Sequence, residues 1–517
     1  MSSVDGLIYG LGIALTFKNV LAAFAGALLG TTIGVLPGLG PTAGVAMILP
    51  LTFAFDPGTG LIMMASMLYG SMYGGSTTAI LVNMPGESSS VVTCIDGYQL
   101  TKRGRAGAVL CIVAIGSFVG GTLSIVGVMF FAPQLAEVGI MFGSAEFFAL
   151  TAGGLLMLSR ITGGTLAAGL LPMALGLMLS TIGQEEVTGQ NRFTFGVNDF
   201  SQGIELVALV VGMYGLAELF SVVEALHLQV KPLSVRLREL LPTAAEWRRS
   251  IAPFGRGTIL GFVFGLLPGP SSTLASFASY RLEKAVSKYK HEIGQGAIEG
   301  VAGPETANNA AATSLMVPLL ALGIPFNSVM ALMLAALTVH GVQPGPMLIG
   351  SNPEIFWAVI ASMLVGNVIL VLLNVPMVSV WVSLLRVPNH LFLPLIILLA
   401  IIGTYSVRNS MIDVATLVAL GGVGYVLRKY GFELAPMVVG FVLGPLIEKH
   451  MLEGLFTSLG DVSVFYSSPI AIGIWLVVIV TMTAGGIRTG VSKLLRTGSN
   501  GAFVGESPDT STPSRQP

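Results

Sequence analysis

Residues 30–44 read GTTIGVLPGLGPTAG, and they place a Pro-Gly pair inside an uncharged, apolar run that extends from residue 19 to residue 55. A run of about 20 apolar residues is long enough to cross a bilayer as a helix. Proline removes a backbone N–H donor and clashes with the preceding turn, and glycine permits irregular dihedral angles there. The sequence therefore predicts a membrane helix that is broken near its middle.

The same kind of break recurs in the second half of the chain. Residues 257–273 read GTILGFVFGLLPGPSST, and small hydroxyl residues follow the Pro-Gly pair in both halves. Further along, residues 79–85 (AILVNMP) parallel residues 319–325 (LLALGIP). Two matches in the same order predict an internal repeat with interrupted helices. The residues that we expect to set the geometry of the breaks are Pro37, Gly38, Pro85, Gly86, Pro268, Gly269 and Pro325.

The composition is that of an integral membrane protein. Of the 517 residues, 53% are apolar and only 10% are charged, and the mean hydropathy is +0.83. Typical soluble domains have about a quarter of their residues charged. The net charge of −1 gives no reason to expect a nucleic-acid partner. The two cysteines and five histidines show no metal-ligand spacing, so we expect no metal site.

The uncharged runs predict an all-α, polytopic membrane protein with roughly 10–14 membrane segments. We expect two pseudo-symmetric repeats of inverted topology that contain broken or re-entrant helices. The predicted units are a first transmembrane repeat at 1–223, a basic cytoplasmic linker at 224–254, a second transmembrane repeat at 255–487 and a disordered polar tail at 488–517.

Basic loops indicate which side faces the cytoplasm, because Lys and Arg concentrate there. We place the loops around 102–105, 224–256 and 281–290 inside, and the acidic loop 184–203 outside. After about residue 386 the topology stays open. Arg408 and the pair Arg428-Lys429 flank one short apolar run, and they cannot both be inside if this run crosses once.

Interrupted helices at matching positions are typical of secondary transporters, in which half-helix N-termini attract anions. Neutral polar side chains beside the breaks are therefore candidates for contact with substrate carboxylates. For each of them, a hydrogen bond between helices is the structural alternative. The candidates are Ser76, Thr77, Thr78, Asn83, Asn308, Asn309, Thr313 and Ser314.

Two carboxylates, Glu87 and Glu305, lie next to break motifs and are candidates for ion coupling. The alternative is that each one caps a half-helix N-terminus at the membrane surface. Asp96 precedes the basic residues 102–105, and we interpret it as an interfacial residue.

Several of these segments together resemble a known family. They are GTTIGVLPGLGPTAGVAMILPLTF from residue 30, YGSMYGGSTTAILVNMPGESSSVVTCIDGYQLTKRGRAGAVL from residue 69, GLLPGPSST, GVAGPETANNAAATSLMVPLLALGIP and VHGVQPGPML. The chain resembles, over roughly residues 1–490, the large TctA-type membrane subunit of the tripartite tricarboxylate transporters. This resemblance implies a multi-pass permease of the bacterial inner membrane, surrounded by lipid.

The resemblance also implies partners and an energy source. The partners would be a small membrane subunit with about four helices and a periplasmic solute-binding protein that delivers an organic carboxylate. An Na⁺ or H⁺ gradient would drive uptake. The sequence contains no G-x-x-x-x-G-K-[ST] phosphate loop, which excludes ATP-driven pumping by this chain alone.

The leading hypothesis is secondary active uptake, by alternating access, of a tricarboxylate such as citrate or of a dicarboxylate. A passive organic-anion channel and an integral membrane enzyme are the alternatives. An enzyme of this kind would need clustered acidic or histidine residues, and the adjacent acidic pair Glu185-Glu186 lies in the predicted external loop. We therefore expect no catalytic residues and no cofactor other than the coupling ion.

Overall fold

Helices make up most of the polypeptide. A computed structural model describes residues 2–36, 40–162, 166–185, 189–224, 241–384 and 392–483. Three predictions fall outside the described residues: the break at Pro37-Gly38, most of the basic linker and the polar tail.

The first half contains α1 (Ser3–Ala14), α2 (Phe17–Val35), α3 (Pro41–Thr52), α4 (Pro57–Val82), α5 (Val91–Lys102), α6 (Ala106–Ile140), α7 (Ser144–Thr162), α8 (Leu166–Ser180), β1 (Gly183–Gln184), β2 (Asn191–Arg192), α9 (Leu206–Val210) and α10 (Ala217–Glu224). A π-helical segment, Val211–Leu216, joins α9 to α10. Short 3-10 turns lie at Ser88–Ser90 and Asn198–Gln202.

The second half contains α11 (Ala244–Gly265), α12 (Ser271–Val286), α13 (Glu299–Ser314), α14 (Met316–Leu322), α15 (Ser328–Val339), α16 (Leu348–Ser351), α17 (Pro353–Asn374), α18 (Val378–Leu384), α19 (Phe392–Arg408), α20 (Met411–Lys429), α21 (Ala435–Thr457) and α22 (Pro469–Thr483). A 3-10 turn at Val462–Tyr466 precedes α22.

Five helices (α2, α6, α17, α20 and α21) are long and apolar enough to cross a membrane, judged by length and composition. Six apolar helical segments of 10–17 residues accompany them in the described part of the chain. The prediction of an all-α, multi-pass membrane protein is confirmed at this level. One small difference is the antiparallel pairing of β1 with β2, which lies inside the predicted external loop.

Glycines at four-residue spacing bring pairs of helices into close contact. An added Cβ at any of them would collide with a backbone carbonyl of the neighbouring helix, so only glycine allows this approach. In the first half the contacts join Gly26 to Met63, Gly30 to Met67 and Gly34 to Ser71. In the second half they join Gly257 to Gly303, Gly261 to Ala307 and Gly265 to Ala311. Because the numbers rise together, α2 runs parallel to α4, and α11 runs parallel to α13.

Helix α5 shows how α4 and α13 are oriented relative to each other. The Thr101 hydroxyl donates to the carbonyl of Ile80, near the end of α4, at 2.9 Å. On the same helix, the Asp96 carboxylate accepts from the N–H of Ala297, just before α13 begins, at 2.8 Å. Because α4 ends and α13 begins beside the same short helix, the two run in opposite directions.

The contacts of two arginines show how α20 is placed relative to the first half of the chain. Arg408 donates to the carbonyl of Gly203 at 3.2 Å, which places it beside the loop that carries β1 and β2. Arg428 forms an ion pair with Glu218 of α10. Arg408 precedes α20 and Arg428 lies in its last turn, and a helix of 19 residues spans about 28 Å. The two arginines therefore lie near opposite ends of α20.

Helices α4 and α13 form the centre of the molecule. All residues of α13 from Glu299 to Ser314 are buried, and α4 is buried from Thr59 to Leu81. Buried polar groups must find hydrogen-bond partners inside the protein. The polar side chains of these two helices therefore determine how the breaks beside them are held.

Candidate functional site

A cavity of about 230 Å³ lies where the interrupted helices of the two halves meet. Typical small-molecule pockets measure roughly 300–1,000 Å³, so this cavity suits a small ligand. Its wall combines residues that follow the breaks with a few from neighbouring helices. The polar and break residues in it are Thr42, Glu87, Ser88, Ser89, Gly269, Pro270, Ser271, Ser272, Thr273, Asn327, Ser328 and Glu433.

Helix α11 ends at Gly265 and α12 begins at Ser271, so Pro268 and Gly269 lie between the two helices. Gly269 has φ of 124°, a left-handed conformation that favours glycine. Its N–H donates to the carbonyl of Phe326 at 3.1 Å. This bond ties the break after α11 to the break after α14, and so fixes one side of the cavity.

The ends of α4 and α14 share a backbone conformation. Asn83 ends α4 with φ of 59°, and Gly323 ends α14 with φ of 71°. In each case a proline follows two residues later, at Pro85 and Pro325. The Asn83 side chain is exposed and is not among the residues that line the cavity. In this structure the role of Asn83 is to adopt the left-handed backbone conformation that ends α4.

The electrostatic character of the wall is mixed. Helices α3, α12 and α15 all begin at the cavity, and a helix N-terminus carries roughly half a positive charge. The charged side chains among the described lining residues are Glu87 and Glu433, both acidic. An anion in the cavity would be attracted by the helix N-termini and repelled by the carboxylates.

Most of the predicted polar residues lie deep in the helix pair α4 and α13. The hydroxyl of Thr77 donates to the carbonyl of Tyr73 at 3.2 Å, and that of Thr313 donates to the carbonyl of Asn309 at 2.9 Å. The remaining members of this group have similar partners. Thr78 donates to the Val35 carbonyl, Ser314 donates to the Ala311 carbonyl, and Asn309 donates to the Ser117 hydroxyl. Here they make structural hydrogen bonds.

Glu305 lies within α13 and is 1% exposed. It accepts hydrogen bonds from the hydroxyls of Ser76, at 2.5 Å, and Thr93. The prediction of a surface cap is therefore wrong for Glu305, because α13 begins one and a half turns earlier and is buried throughout. Glu87 is the N-cap residue of the 3-10 turn Ser88–Ser90.

A family model for the tripartite tricarboxylate transporter TctA family matches residues 20–439, which contain the breaks, the cavity and α13. The chain belongs to this family. It is 47% identical over 474 residues to a protein of Agrobacterium vitis described as an uncharacterized 52.8 kDa protein in the TAR-I ttuC′ 3′ region, and this match covers 91% of the chain and 94% of the relative. A second A. vitis protein, from the TAR-II ttuC′ 3′ region, is 48% identical over 232 residues, covering 44% of the chain and 96% of that relative.

Membership in the TctA family confirms the resemblance seen in the sequence. It makes the chain a membrane component of a transporter, and the large component of a tripartite system, which implies partner subunits. The helices that are long and apolar enough to cross a membrane agree with a multi-pass protein.

Sequence reasoning missed the structural role of Asp96 in this TctA-family chain. Asp96, which the sequence suggests is an interfacial residue, is fully buried within the protein. Its carboxylate accepts from the N–H groups of Gly294, Gly296 and Ala297 and from the Tyr280 hydroxyl. The signal was the spacing of Gly294 and Gly296, whose φ values of 100° and 103° aim successive N–H groups at one point.

The serines that form the cavity wall were also missed as site residues. Ser88 and Ser89 follow the Pro85-Gly86 break after Glu87. The hydroxyls of Ser88 and Thr273 lie 2.9 Å apart and join the two halves. The runs SSS and SST immediately after each break were the available signal. Asn327 is a further lining residue, and its side chain caps α15 by accepting from the N–H of Met330.

A second cavity of about 450 Å³ lies at the loop that carries β1 and β2. Arg192 and Glu448 form a two-point ion pair across it, with N–O distances of 2.7 and 3.0 Å. Glu185 and Lys449 also line this cavity. The surface is polar and close to neutral, in contrast to the apolar helix faces around it.

Proposed function

We propose that the chain is the permease of a secondary active transporter that takes up small organic carboxylates across the bacterial inner membrane. The substrate is a tricarboxylate such as citrate, or a dicarboxylate, and an Na⁺ or H⁺ gradient drives its uptake. A periplasmic solute-binding protein delivers the substrate, and a small membrane subunit of about four helices completes the permease.

The observation that carries this proposal is the cavity between the interrupted helices. Helices α3, α12 and α15 begin at its wall, and hydroxyl groups of Ser89, Ser272 and Thr42 line it. Helix N-termini and hydroxyls are suitable groups for binding a carboxylate. A site without a fixed arginine releases its anion readily once the accompanying cations have left.

Charge in the same wall supports coupling to a cation. Glu87 and Glu433 would both repel a carboxylate substrate. A cation or proton that neutralises this wall raises the affinity for the anion, and the anion raises the affinity for the cation by the same factor. Couplings of this kind amount to roughly 1–3 kcal/mol.

The arrangement of the helices supports alternating access. Helices α2 and α4 pack in parallel, α11 and α13 pack in parallel in the same way, and α4 runs opposite to α13. We infer that the two halves are inverted repeats, as in many secondary transporters that open alternately to the two sides around a central site.

The surface that carries β1 and β2 is the proposed docking side for the binding protein. It lies on the face that the charge distribution assigns to the outside. The cavity of about 450 Å³ there has polar groups of both signs, which suits a transient protein contact.

Uptake into proteoliposomes tests this proposal. The chain would be reconstituted with its small subunit, and radiolabelled citrate and a panel of dicarboxylates would be added with the binding protein. Saturable accumulation that requires both the binding protein and an inward Na⁺ or H⁺ gradient is expected. Flux that needs neither and does not saturate would indicate a passive channel and would reject the proposal.

A further inference from the structure

The strongest unexplained feature of the helix interior is a pair of carboxylates, Glu87 and Glu305, on either side of the buried residue Asn308 in their hydrogen-bond networks. Asn308 of α13 donates from Nδ2 to Oε1 of Glu87 at 3.0 Å. Glu305 lies one helical turn before Asn308 on the same helix. Glu87 lines the substrate cavity, whereas Glu305 is buried behind it.

Neither carboxylate has a cationic partner. In the described parts of the chain, Lys, Arg and His side chains form no ion pair with Glu87 or Glu305, whose hydrogen-bond donors are hydroxyls and one amide. A charged carboxylate in a membrane interior is costly unless a counter-charge neutralises it. The pair therefore requires a positive charge from outside the protein.

A second observation points to the same requirement. Asn308 is fully buried, and its Oδ1 atom has no hydrogen-bond partner among the described residues. A buried carbonyl oxygen without a donor is destabilising by roughly 1–3 kcal/mol. A carboxylic acid O–H next to it would supply the missing donor. The oxygens of Glu305 already accept from Ser76 and Thr93, which disfavours an additional shell of five or six metal ligands.

The other titratable groups around α13 are either neutral or bound to a partner within the protein. The neutral ones are Tyr73 on α4, Cys94 on α5, Cys111 on α6 and Tyr280 on α12. The ones with partners are Asp96 on α5 and the ion pair between Arg256 of α11 and Glu283 of α12. Arg256 is bound to Glu283 at 2.6 and 2.8 Å, and Asp96 is held by backbone N–H groups. Glu299 of α13 is paired with Arg249, and Glu433 faces Glu87 across the same cavity wall. Among the described residues that contact α13, Glu87 and Glu305 are thus the carboxylates held by hydroxyl and amide groups without a bound cation.

We propose that Glu87 and Glu305 are the two carboxylates that take up the coupling proton, and that protonation prepares the cavity for a carboxylate substrate. This inference rests on the proposed transport function and specifies its coupling ion. One proton from outside converts one carboxylate of the pair to the acid, which removes one negative charge from the wall or from directly behind it. The substrate anion then binds, and after the site opens to the cytoplasm the substrate and proton leave, which restores the carboxylate. No bond other than O–H forms or breaks.

The test is accumulation in proteoliposomes of the full transporter with the membrane potential held at zero. A pH gradient of one unit drives about a tenfold accumulation per coupled proton, because a tenfold ratio corresponds to about 1.4 kcal/mol. For the wild type, accumulation is expected to rise about tenfold for an inward gradient of one unit. For Glu305→Gln, it is expected to stay within twofold of the value without a gradient, while exchange of labelled for unlabelled substrate continues.

Three further variants complete the design. Glu87→Gln should show the same loss of pH-driven accumulation, and Glu305→Asp, which keeps a carboxylate, should restore it. Glu354→Gln changes an exposed glutamate in the first turn of α17 and should behave as the wild type. Accumulation by the wild type with an Na⁺ gradient but not with a pH gradient would overturn the inference and leave the proposed function standing. Accumulation by Glu305→Gln that responds to the pH gradient as the wild type does would also overturn the inference and leave the proposed function standing. Absence of uptake and exchange in the wild type would instead reject the proposed function itself.

Discussion

The Asp96 carboxylate accepts a hydrogen bond of 2.6 Å from the N–H of Gly296, and this contact fastens α5 of the first half to the segment that leads into α13 of the second half. Arg103, near the same point, donates to the carbonyl of Gln295 at 2.5 Å. These contacts lie at the end of the molecule where α4 ends and α13 begins. They hold the two central helices in register beside the buried carboxylate Glu305.

Asp96→Asn is expected to destabilise the protein by roughly 2–4 kcal/mol, because a hydrogen bond to a charged group contributes about 1.5–3 kcal/mol and the new amide N–H₂ would face backbone donors. Thermal unfolding of the purified protein in detergent measures this loss. Asp5→Asn, at an exposed position in the first turn of α1, is the matched control. Equal melting temperatures for the two variants would show that the Asp96 contacts do not hold the halves together.

Two substitutions of Asn83 distinguish a role of its backbone conformation from a role of its side chain in binding substrate. Its φ of 59° is a conformation that costs roughly 1–2 kcal/mol for a residue such as alanine but little for glycine. Asn83→Gly should therefore retain uptake and stability, whereas Asn83→Ala should lose about 1 kcal/mol of stability. A loss of substrate affinity in Asn83→Gly, at unchanged stability, would show that the side chain contacts the substrate after all.

The close contact between α2 and α4 predicts a sharp difference between two glycines. Gly30→Ala would drive a methyl group into the backbone carbonyl of Met67, and overpacking of this kind costs roughly 1–3 kcal/mol. Gly12→Ala in α1 meets nothing within 4 Å, and it should be neutral or slightly stabilising. Unfolding in denaturant compares the two. Equal stability of both variants would contradict the close packing of α2 on α4.

We expect the Glu246 carboxylate to make a pH-dependent contribution to the stability of the folded protein. Burial would raise the pKa of this carboxyl, but hydrogen bonds from Arg105 and Thr243 outweigh it and hold the pKa below 4.5. A carboxyl whose pKa is lowered on folding stabilises the protein above the unfolded pKa, and this stabilisation is lost as the pH falls through the folded pKa. Glu246→Gln should therefore be less stable than the wild type at pH 7, and the difference should shrink below about pH 4.5. A difference that stays constant between pH 7 and pH 4 would contradict this.

Local patterns were enough to predict the breaks. Pro85, Pro268 and Pro325 all lie between helices, because the conformational limits of proline and glycine act within a few residues. The correspondence of Asn83 with Gly323, read from aligned letters, holds in the backbone, since both adopt the same left-handed conformation.

Burial could not be predicted in the same way. Glu305 and Asp96 were both compatible with a membrane surface, and the structure buries both, because their partners are hundreds of positions away along the chain: Ser76 for Glu305 and Gly296 for Asp96. Such contacts depend on how the two halves pack together. For the same reason the sequence suggested the polar residues of α4 and α13 as the substrate-binding site. The cavity is instead lined by the serines that follow the breaks.

Substrate protection of a single cysteine tests the central claim, that the cavity between the interrupted helices binds the transported carboxylate. Ser272→Cys places a thiol in the cavity wall after replacement of Cys94 and Cys111 by alanine, and Ser351→Cys places one at an exposed site on α16. In the reconstituted transporter, a transported carboxylate should slow modification of the cysteine at position 272 by a charged thiol reagent, and should leave the one at position 351 unchanged. If uptake is intact and no transported carboxylate slows the reaction at position 272, the substrate binds elsewhere and the account is contradicted.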